Sequence, residues 1–324
     1  MRRTVDMPRR TVDRGSPPPP TLVPARYPLM LNPLMFRSTL IAGLFWIIAT
    51  AASAQTVLTN DPFELFIGKG TSALLLPDYE AGVSSGGGEA FEDDLDELAY
   101  GVQILAVRRF LHTRTSFETR LNFNINEANT LATPGDISFA NPGTGVTETL
   151  SGGRANLEAD AVYYGFDTGL RDTWRTRLGG LSAGLTFSYF AIDQDFQATY
   201  NGADVYEEEL NSDFLGGKGF VGWERMFGTR PISVDLWYGY FNVDAEYDFR
   251  GQSIGGISQR EFSDHTSTAE IWVSTRQRMN NGTLGLAFGG TYITDMPSLI
   301  QDQGATMIGT DDAGTLNALI QWIW

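Results

Sequence analysis

The sequence predicts an all-β protein, an antiparallel transmembrane β-barrel of about ten strands. Three observations favour this fold. Segments of about ten residues alternate apolar with polar side chains, as strands between lipid and a lumen must. The connections between these segments alternate between short and long, and basic residues gather at the short ones while acidic residues gather at the long ones. A soluble β-sandwich shares the alternation but does not require the other two patterns.

The amino-terminal part of the chain is expected to be a targeting region. Arg37 precedes an apolar run over residues 40–49, and Ala52-Ser53-Ala54 supplies the small residues of a signal-peptide cleavage site. We therefore assign residues 35–54 to a signal peptide and residues 55–324 to the barrel. Residues 1–34 are basic and proline-rich, which indicates a mis-assigned start codon or a disordered leader.

Composition narrows the classes of function. The chain has 324 residues, 36 of them glycine, and no cysteine, which excludes disulfides, thiolate metal sites and a cysteine nucleophile. The formal charge is −16, and without residues 1–54 the remaining 16 basic and 37 acidic residues give −21. Because such a surface repels phosphate backbones, nucleic acid is not an expected partner. No apolar run after residue 54 is long enough for a membrane-spanning helix.

Five strands are predicted in the first half of the barrel. The first carries Phe63, Leu65 and Ile67 on one face, and the third sets Phe117 and Phe123 against alternating polar residues. The second also fits an amphipathic helix, which stays an alternative there. The fourth and fifth repeat the period of two. These strands cover residues 63–76, 98–110, 116–125, 157–166 and 178–189.

Five more strands are predicted in the second half. The sixth is rich in glycine, and the seventh places Ile232, Val234 and Leu236 on its outer face. The eighth sets Ile271 against polar neighbours, and the ninth follows Asn280-Asn281-Gly282, a typical hairpin turn. The tenth ends the chain. These strands cover residues 214–227, 232–243, 268–276, 283–294 and 315–324.

The connections predict which end of the barrel faces the periplasm. The short ones are residues 111–115, 167–177, 228–231 and 280–282, and the long ones are residues 77–97, 126–156, 201–213, 244–266 and 295–314. Short periplasmic turns and long outer loops are typical of outer-membrane barrels. A hairpin over residues 297–308 would raise the strand count to twelve, which is the alternative.

Basic residues mark the short connections, where arginine favours anionic phospholipid head groups. The acidic residues concentrate in the long connections, which are therefore expected to be acidic outer loops. The arginines at or beside the short connections are Arg108, Arg109, Arg114, Arg171, Arg175, Arg177, Arg225, Arg230, Arg276 and Arg278.

The last ten residues carry a family resemblance. Leu316, Ala318, Ile320, Trp322 and Trp324 share one face, and the chain stops on an aromatic residue. This segment resembles the closing strand of Gram-negative outer-membrane β-barrels. The resemblance implies a location in the cell outer membrane, contact with its lipids and lipopolysaccharide, and recognition of the closing strand by the barrel-assembly machinery. It also implies that the two tryptophans anchor the strand in the membrane.

Ionisable residues are predicted to line the lumen. A barrel of about ten strands leaves a narrow interior, so a network of ion pairs is favoured over a narrow polar passage or catalytic carboxylates. The predicted lumen residues are Arg109, Glu118, Arg120, Glu158, Asp160, Glu224, Asp235, Glu270, Arg276 and Arg278.

An acidic loop offers a weak metal site. Asp93, Asp94 and Asp96 supply hard oxygen ligands suited to Ca²⁺, although they lack EF-hand spacing. A solvated acidic loop is the preferred interpretation, and no other cofactor or metal is expected.

A histidine and a serine two residues apart offer the enzymatic alternative. His265 and Ser267 share the lipid-facing side of a predicted strand near the outer rim, where the imidazole could act as base on the hydroxyl. This His-x-Ser pair resembles outer-membrane phospholipases and lipid A deacylases, except that their following Asn is Thr268 here. Asp264-His265 with Asp93-Asp94 also resembles the Asp–His pair of omptin-type proteases.

The favoured function is non-enzymatic. We expect a small barrel that stabilises the envelope, adheres through its outer surface or passes small solutes through a narrow pore. A surface lipid hydrolase that uses His265 and Ser267 is the alternative.

Overall fold

The structure, a computed structural model, describes residues 63–77, 79–84, 89–93, 97–110, 113–134, 136–140, 147–251, 257–280, 282–302 and 305–323. The leader assigned to residues 1–34, the signal peptide assigned to residues 35–54, and Trp324 lie outside these residues. The described part of the chain holds no helix that is long and apolar enough to cross a membrane.

The described residues form β-strands joined by short turns. The second predicted strand is a strand and not the alternative helix. The strands are β1 (Phe63–Leu75), β2 (Tyr79–Ser84), β3 (Glu89–Asp93), β4 (Glu97–Arg109), β5 (Thr115–Pro134), β6 (Ile137–Ala140), β7 (Thr147–Leu150), β8 (Arg154–Thr176), β9 (Gly179–Tyr200), β10 (Ala203–Phe227), β11 (Arg230–Gly251), β12 (Ile257–Met279), β13 (Gly282–Asp302) and β14 (Ala305–Ile323).

Ten of the described strands close into an antiparallel barrel. Around the ring they follow the order β1-β4-β5-β8-β9-β10-β11-β12-β13-β14. β14 then pairs with β1, with Ile67 opposite Trp322 and Leu74 opposite Thr315, so the closing strand predicted from the sequence seals the ring. Closure leaves no free sheet edge, which a membrane-spanning sheet requires. The predicted fold class is confirmed.

An apolar belt surrounds the barrel next to the short turns. On β11 the outward side chains from Ile232 to Tyr240 are apolar or aromatic, whereas Asn242 and Asp244 follow on the same face. The outward face of β10 changes in the same way. It is mostly apolar from Leu215 toward the short turns, and it is acidic on the other side of Leu215. A stretch of about nine residues is what a tilted strand needs to cross the hydrocarbon layer.

The strands continue beyond the belt into a second half of the barrel, here called the outer extension. On β10, Tyr206 and Leu210 point inward and are buried, while Glu207 and Glu209 alternate with them on the outside. A strand with this alternation buries its apolar side chains inside the barrel and leaves its acidic side chains in water. The sheet can therefore continue where loops are predicted. Residues 201–213, 244–266 and 295–314 therefore consist mostly of strand, and the prediction of loops there is wrong.

The twelve-strand alternative is also wrong. Residues 297–308 do pair with each other, with Leu299 opposite Ile308, but they are the outer ends of β13 and β14. The hairpin lengthens two barrel strands and adds none.

Two inserted strands cover the outer mouth. β2 lies in the connection between β1 and β4 and pairs with β6, which lies in the connection between β5 and β8. β6 in turn contacts the end of β14 through Ala140 and Ala305. Tyr79 of β2 and Phe139 of β6 are buried in the barrel interior. The described parts of these two connections therefore fold back over the opening.

Candidate functional site

A cavity, here called the vestibule, lies inside the barrel at the short-turn end. It has a volume of about 930 Å³, and the turn residues Thr113 and Gly179 line its lower edge. Ion pairs cross its wall: Arg109 bonds Glu64 at 3.1 Å and Arg276 bonds Glu224 at 2.9 Å. The vestibule is therefore a polar chamber that reaches the end of the barrel with the short turns. Deeper in its wall, Arg171 contacts Glu118 at 3.2 Å and Asp235 at 3.4 Å.

Four buried ionised groups close the vestibule from above and form the charged cluster. Lys218 Nζ lies 3.0 Å from Asp167 and 3.2 Å from Glu270, and Arg120 pairs with the same two carboxylates. Two cations face two anions, so the cluster is neutral. Charges this deeply buried are tolerated only when each is paired and hydrogen-bonded.

Aromatic rings hold the charged cluster in place. The Arg120 guanidinium lies 4.4 Å from the ring centre of Trp237, and Trp272 donates its indole N–H to Glu270. Gly289 on the neighbouring strand lies against the Trp272 ring, where a Cβ atom would clash with it. The glycine thus lets the indole lie flat across the strand and reach the carboxylate.

An amide network spans the barrel on the other side. Gln321 of β14 donates to Gln103 of β4 at 3.1 Å, and Gln103 donates to Asn122 of β5 at 3.0 Å. Both glutamines are buried. Together with the charged cluster, this network fills the interior at the level of the membrane with paired polar groups.

Above these polar groups, apolar side chains fill the barrel and form what we call the apolar plug. Phe190 stacks on Phe214 with ring centres 4.2 Å apart and meets Phe241 edge-on at 5.0 Å. All three rings are buried and belong to one core that continues through the outer extension. On these three strands, close-packed rings follow the polar groups of the charged cluster.

A buried carboxylate joins the inserted strand β2 to the barrel wall in the outer extension. Glu208 accepts hydrogen bonds from Tyr79 and, at 2.8 Å, from Tyr247. The Tyr79 ring also stacks on Phe196 at 4.0 Å, and its hydroxyl lies 3.1 Å from that of Tyr206. Burial raises the pKa of Glu208, and the hydrogen bonds it accepts partly oppose that rise. This Glu208 cluster fixes β2 over the outer mouth.

Eight of the ten predicted lumen residues fall into three groups. Glu118, Arg120, Asp235 and Glu270 lie in the deep interior, at or just below the charged cluster. Arg109, Glu224 and Arg276 line the outer part of the vestibule, and Arg278 is exposed near the last short turn.

Glu158 and Asp160 do not line the lumen, so that part of the prediction is wrong. Both are exposed on β8, while Leu157, Ala159 and Ala161 between and beside them are buried in the core. The reason is that this part of β8 belongs to the outer extension, where water lies outside and apolar groups lie inside. The polar face of the strand therefore points away from the lumen.

Sequence reasoning missed three interior residues, Lys218, Asp167 and Arg171. Lys218 lies between Gly217 and Gly219, in the strand whose pattern is weakest. It shares the inward face with Phe214 and Phe220, so the alternation of side chains along the strand could have identified it as an interior residue. Asp167 and Arg171 were missed because β8 extends through residues assigned to a turn.

His265 and Ser267 lie on the outside of β12, as expected from their phase, at the upper edge of the belt. The Ser267 hydroxyl lies 3.1 Å from that of Thr294, and the His265 ring stacks on Tyr240 with centres 5.5 Å apart. Each side chain thus has a neighbour other than its supposed catalytic partner.

The remaining predicted sites concern the closing strand and the acidic loop. Trp322 lies on the outward face of β14, opposite Leu284 of β13. The backbone of Asp93 belongs to β3, whereas Asp94 and Asp96 lie outside the described residues. Among the described side chains, no group of three or more histidines or carboxylates is arranged to hold a metal ion.

The fold and the distribution of polar groups define the class of protein. A closed antiparallel sheet with an apolar belt, short turns at one end and a hydrated extension at the other is an outer-membrane β-barrel. Short turns face the periplasm in outer-membrane barrels, and this rule assigns the vestibule to the periplasmic end and the outer extension to the outside of the cell.

Comparison with known proteins gives structural likeness without sequence relatives. No protein-family model matches this sequence, and no curated protein does. The outer-membrane protease OmpT of Escherichia coli is similar in structure, with 8% identity, 83% of this chain and 98% of that chain covered, and a TM-score of 0.45. The translocator domain of the autotransporter NalP from Neisseria meningitidis has 9% identity, 91% and 99% coverage, and a TM-score of 0.41. OprG of Pseudomonas aeruginosa has 10% identity, 82% and 97% coverage, and a TM-score of 0.32.

Proposed function

We propose that this protein is a non-conducting barrel that stabilises the outer membrane and displays an acidic outer surface with an adhesive role. The observation that carries the proposal is the apolar plug, in which Phe190, Phe214 and Phe241 pack directly above the buried charged cluster. Water and ions need polar partners along a pore, and this level offers close-packed rings instead.

The narrow-pore alternative would need the plug to move. The rings sit on β9, β10 and β11, which are joined by long, continuous ladders of hydrogen-bonded pairs. Side chains packed in the wall of a closed sheet have no loop on which to swing aside. A structural role is therefore the better supported of the two.

The adhesive part of the proposal rests on the outside of the outer extension. Asp160, Asp195, Glu209 and Asp248 lie opposite one another on four adjacent strands and form a row of carboxylates. Arg250 pairs with Glu209 at 3.4 Å, and the like charges of the other members are destabilising, which favours contact with a further cationic partner. Burial, followed by the charges of Asp160 and Glu207, raises the pKa of Asp195.

Lipid contact completes the proposed role. The belt residues would meet acyl chains, and the arginines of the short turns would meet phospholipid head groups on the periplasmic side. Lipopolysaccharide would surround the upper edge of the belt. The assembly machinery would recognise the closing strand β14.

Single-channel recording in planar bilayers tests the central part. Purified barrel, checked for folding by its heat-modifiable migration on a gel, should give no discrete current steps at any applied voltage. A general porin inserted into the same bilayers serves as the positive control. Discrete steps from the folded protein would contradict the non-conducting role.

A separate measurement tests adhesion. Cells that carry the protein should bind a polylysine surface better than cells that carry the variant Asp195→Asn, Glu209→Gln, Asp248→Asn. Equal binding by the two, at equal surface amounts, would remove the adhesive part and leave the structural part.

A further inference from the structure

The vestibule has two chemically different walls. Its charged wall is built from β5 and β8–β12 and carries the ion pairs described above. Its opposite wall, from β13, β14, β1 and β4, presents Phe66, Leu105, Val107, Ala287 and Ile323 to the cavity, between the Gln321–Gln103 pair above and the Arg109–Glu64 ion pair at the rim. Phe66 and Leu105 are only partly buried although they point into the barrel. An apolar strip thus faces the cavity along one side.

The charged wall carries an excess of cations. Five inward arginines but three carboxylates line the cavity on this wall, in a chain whose formal charge is −16. Arg114, Arg175 and Arg225 have no carboxylate within 4.0 Å among the described residues. Arg114 and Arg175 lie at the mouth on the inward side: Arg114 accepts a backbone hydrogen bond from Thr173, two residues before Arg175. Arg225 alternates with the inward Glu224 and contacts Phe227 on the outer face. The entrance is therefore positive.

The vestibule also has the depth and size of a ligand site. The charged cluster and Trp272 close its upper end, while the short turns leave its lower end open to the periplasm. Its volume of about 930 Å³ lies within the range of roughly 300–1,000 Å³ for small-molecule pockets. A molecule entering from below would pass the arginines and stop beneath the cluster.

We propose that the vestibule binds a single-chain amphiphile with an anionic head group, either a carboxylate or a phosphate. The acyl chain lies along the apolar strip, where it covers Phe66 and Leu105 and removes them from water. The head group stays at the mouth with Arg114 and Arg175, whose guanidinium groups match both anions through paired N–H donors. A neutral amphiphile lacks the contact with the arginines, and a short hydrophilic anion lacks the contact with the apolar strip.

Energy transfer from tryptophan to a dansyl group measures this binding. The probe is 11-(dansylamino)undecanoate, added to the folded barrel in amphipol, and its matched control is the corresponding primary amide. Trp272 at the ceiling and Trp223 at the mouth are donors within the cavity lining. Unlabelled dodecanoate and dodecyl phosphate serve as competitors, and dodecan-1-ol is the neutral competitor.

Saturable transfer with the acid, at least about tenfold weaker with the amide, is the expected result, because a charge-assisted contact contributes about this factor. Both anionic competitors should displace the probe, and the neutral alcohol should not. If only one displaces it, the site is assigned to that head group. Equal binding of acid and amide, or no saturable signal, would overturn the proposal.

Three variants locate the site. Arg114→Gln with Arg175→Gln should weaken the acid about tenfold and leave the amide unchanged. Arg250→Gln, an arginine of the outer extension, is the matched control and should bind as the unaltered protein does. Leu105→Trp fills the apolar strip and should abolish binding while the gel migration stays that of a folded barrel. Unaltered binding by Leu105→Trp would place the probe elsewhere and overturn the proposal.

This inference is independent of the non-conducting role. A barrel that conducts could still bind the amphiphile below its charged cluster, and a silent barrel could fail to bind it. The bilayer recordings therefore test the non-conducting role alone, and the energy-transfer titrations test amphiphile binding alone.

Discussion

Replacing Lys218 with methionine should destabilise the barrel strongly. Lys218 Nζ is bonded to Asp167 at 3.0 Å and to Glu270 at 3.2 Å, and the side chain is 5% exposed. Without it, two carboxylates share the single guanidinium of Arg120. Each hydrogen bond to a charged group contributes about 1.5–3 kcal/mol, so two such bonds suggest about 3–6 kcal/mol. Removing one member of a buried ion pair typically costs about 3–5 kcal/mol, which agrees.

The measurement is equilibrium unfolding in guanidinium chloride, with the barrel folded into phospholipid vesicles and monitored by tryptophan fluorescence. A second variant, Asp167→Asn combined with Lys218→Met, restores one cation to one anion. It should recover part of the lost free energy of unfolding, because the pair is coupled. Arg250→Gln, an exposed arginine of the outer extension, should change the free energy of unfolding by less than about 0.5 kcal/mol. A loss below about 1 kcal/mol for Lys218→Met, or a double variant as unstable as the sum of the single ones, would refute the reasoning.

Three further outcomes follow from other parts of the barrel. The raised pKa of Glu208 means that the folded protein holds this proton more tightly than the unfolded chain, so its contribution to stability is present at low pH and is lost as pH rises through the folded pKa. Protease cleavage of the connection that carries Tyr79 should therefore rise with pH, and Glu208→Gln should flatten that dependence; an unchanged profile in the variant would assign it to another group. Phe214→Ala should lower the free energy of unfolding by about 3–5 kcal/mol through the cavity it leaves, measured in the same vesicles; a loss under about 1 kcal/mol would show that the plug is loosely packed. Ser267→Ala should leave ester hydrolysis by the folded barrel at the level of the buffer blank, as in the unaltered protein, and a hydrolysis rate that disappears in the variant would support the hydrolase alternative.

The membrane-level half of the fold could be predicted from sequence because its signals are local. The period of two across Phe117 to Ile125, the hairpin residues Asn280-Asn281-Gly282 and the apolar face of the closing strand each read directly as a strand or a turn. The short connections between them then set the ring and its orientation. Only neighbouring residues were needed for these steps.

The outer half could not be predicted in the same way because a period of two does not say which face is inside. Glu158 and Asp160 alternate with apolar residues as lumen residues would, yet the solvent outside the strand has changed from lipid to water at their level. The Glu208 cluster is harder still, since Tyr79, Glu208 and Tyr247 come from distant parts of the chain and meet only when β2 folds inward. No spacing pattern in the sequence predicts that these three side chains come together.

The vestibule shows an intermediate case. Arg109 and Arg276 were placed in the interior from alternation, but the excess of arginine over carboxylate at the mouth depends on which strands are neighbours. From the sequence, Arg114 and Arg175 are identified only as turn arginines. Their shared position emerges from register, which the sequence alone leaves undetermined.

The reversal of polarity along the barrel has a consequence for biogenesis. The phenylalanines and tyrosines that fill the extracellular half reach their final neighbours only after the strands carrying them have crossed the bilayer. That half must therefore consolidate last, against a lower half already seated in lipid. Errors in its packing would leave an inserted protein whose extracellular half is incompletely folded and exposed to the medium and to proteases there.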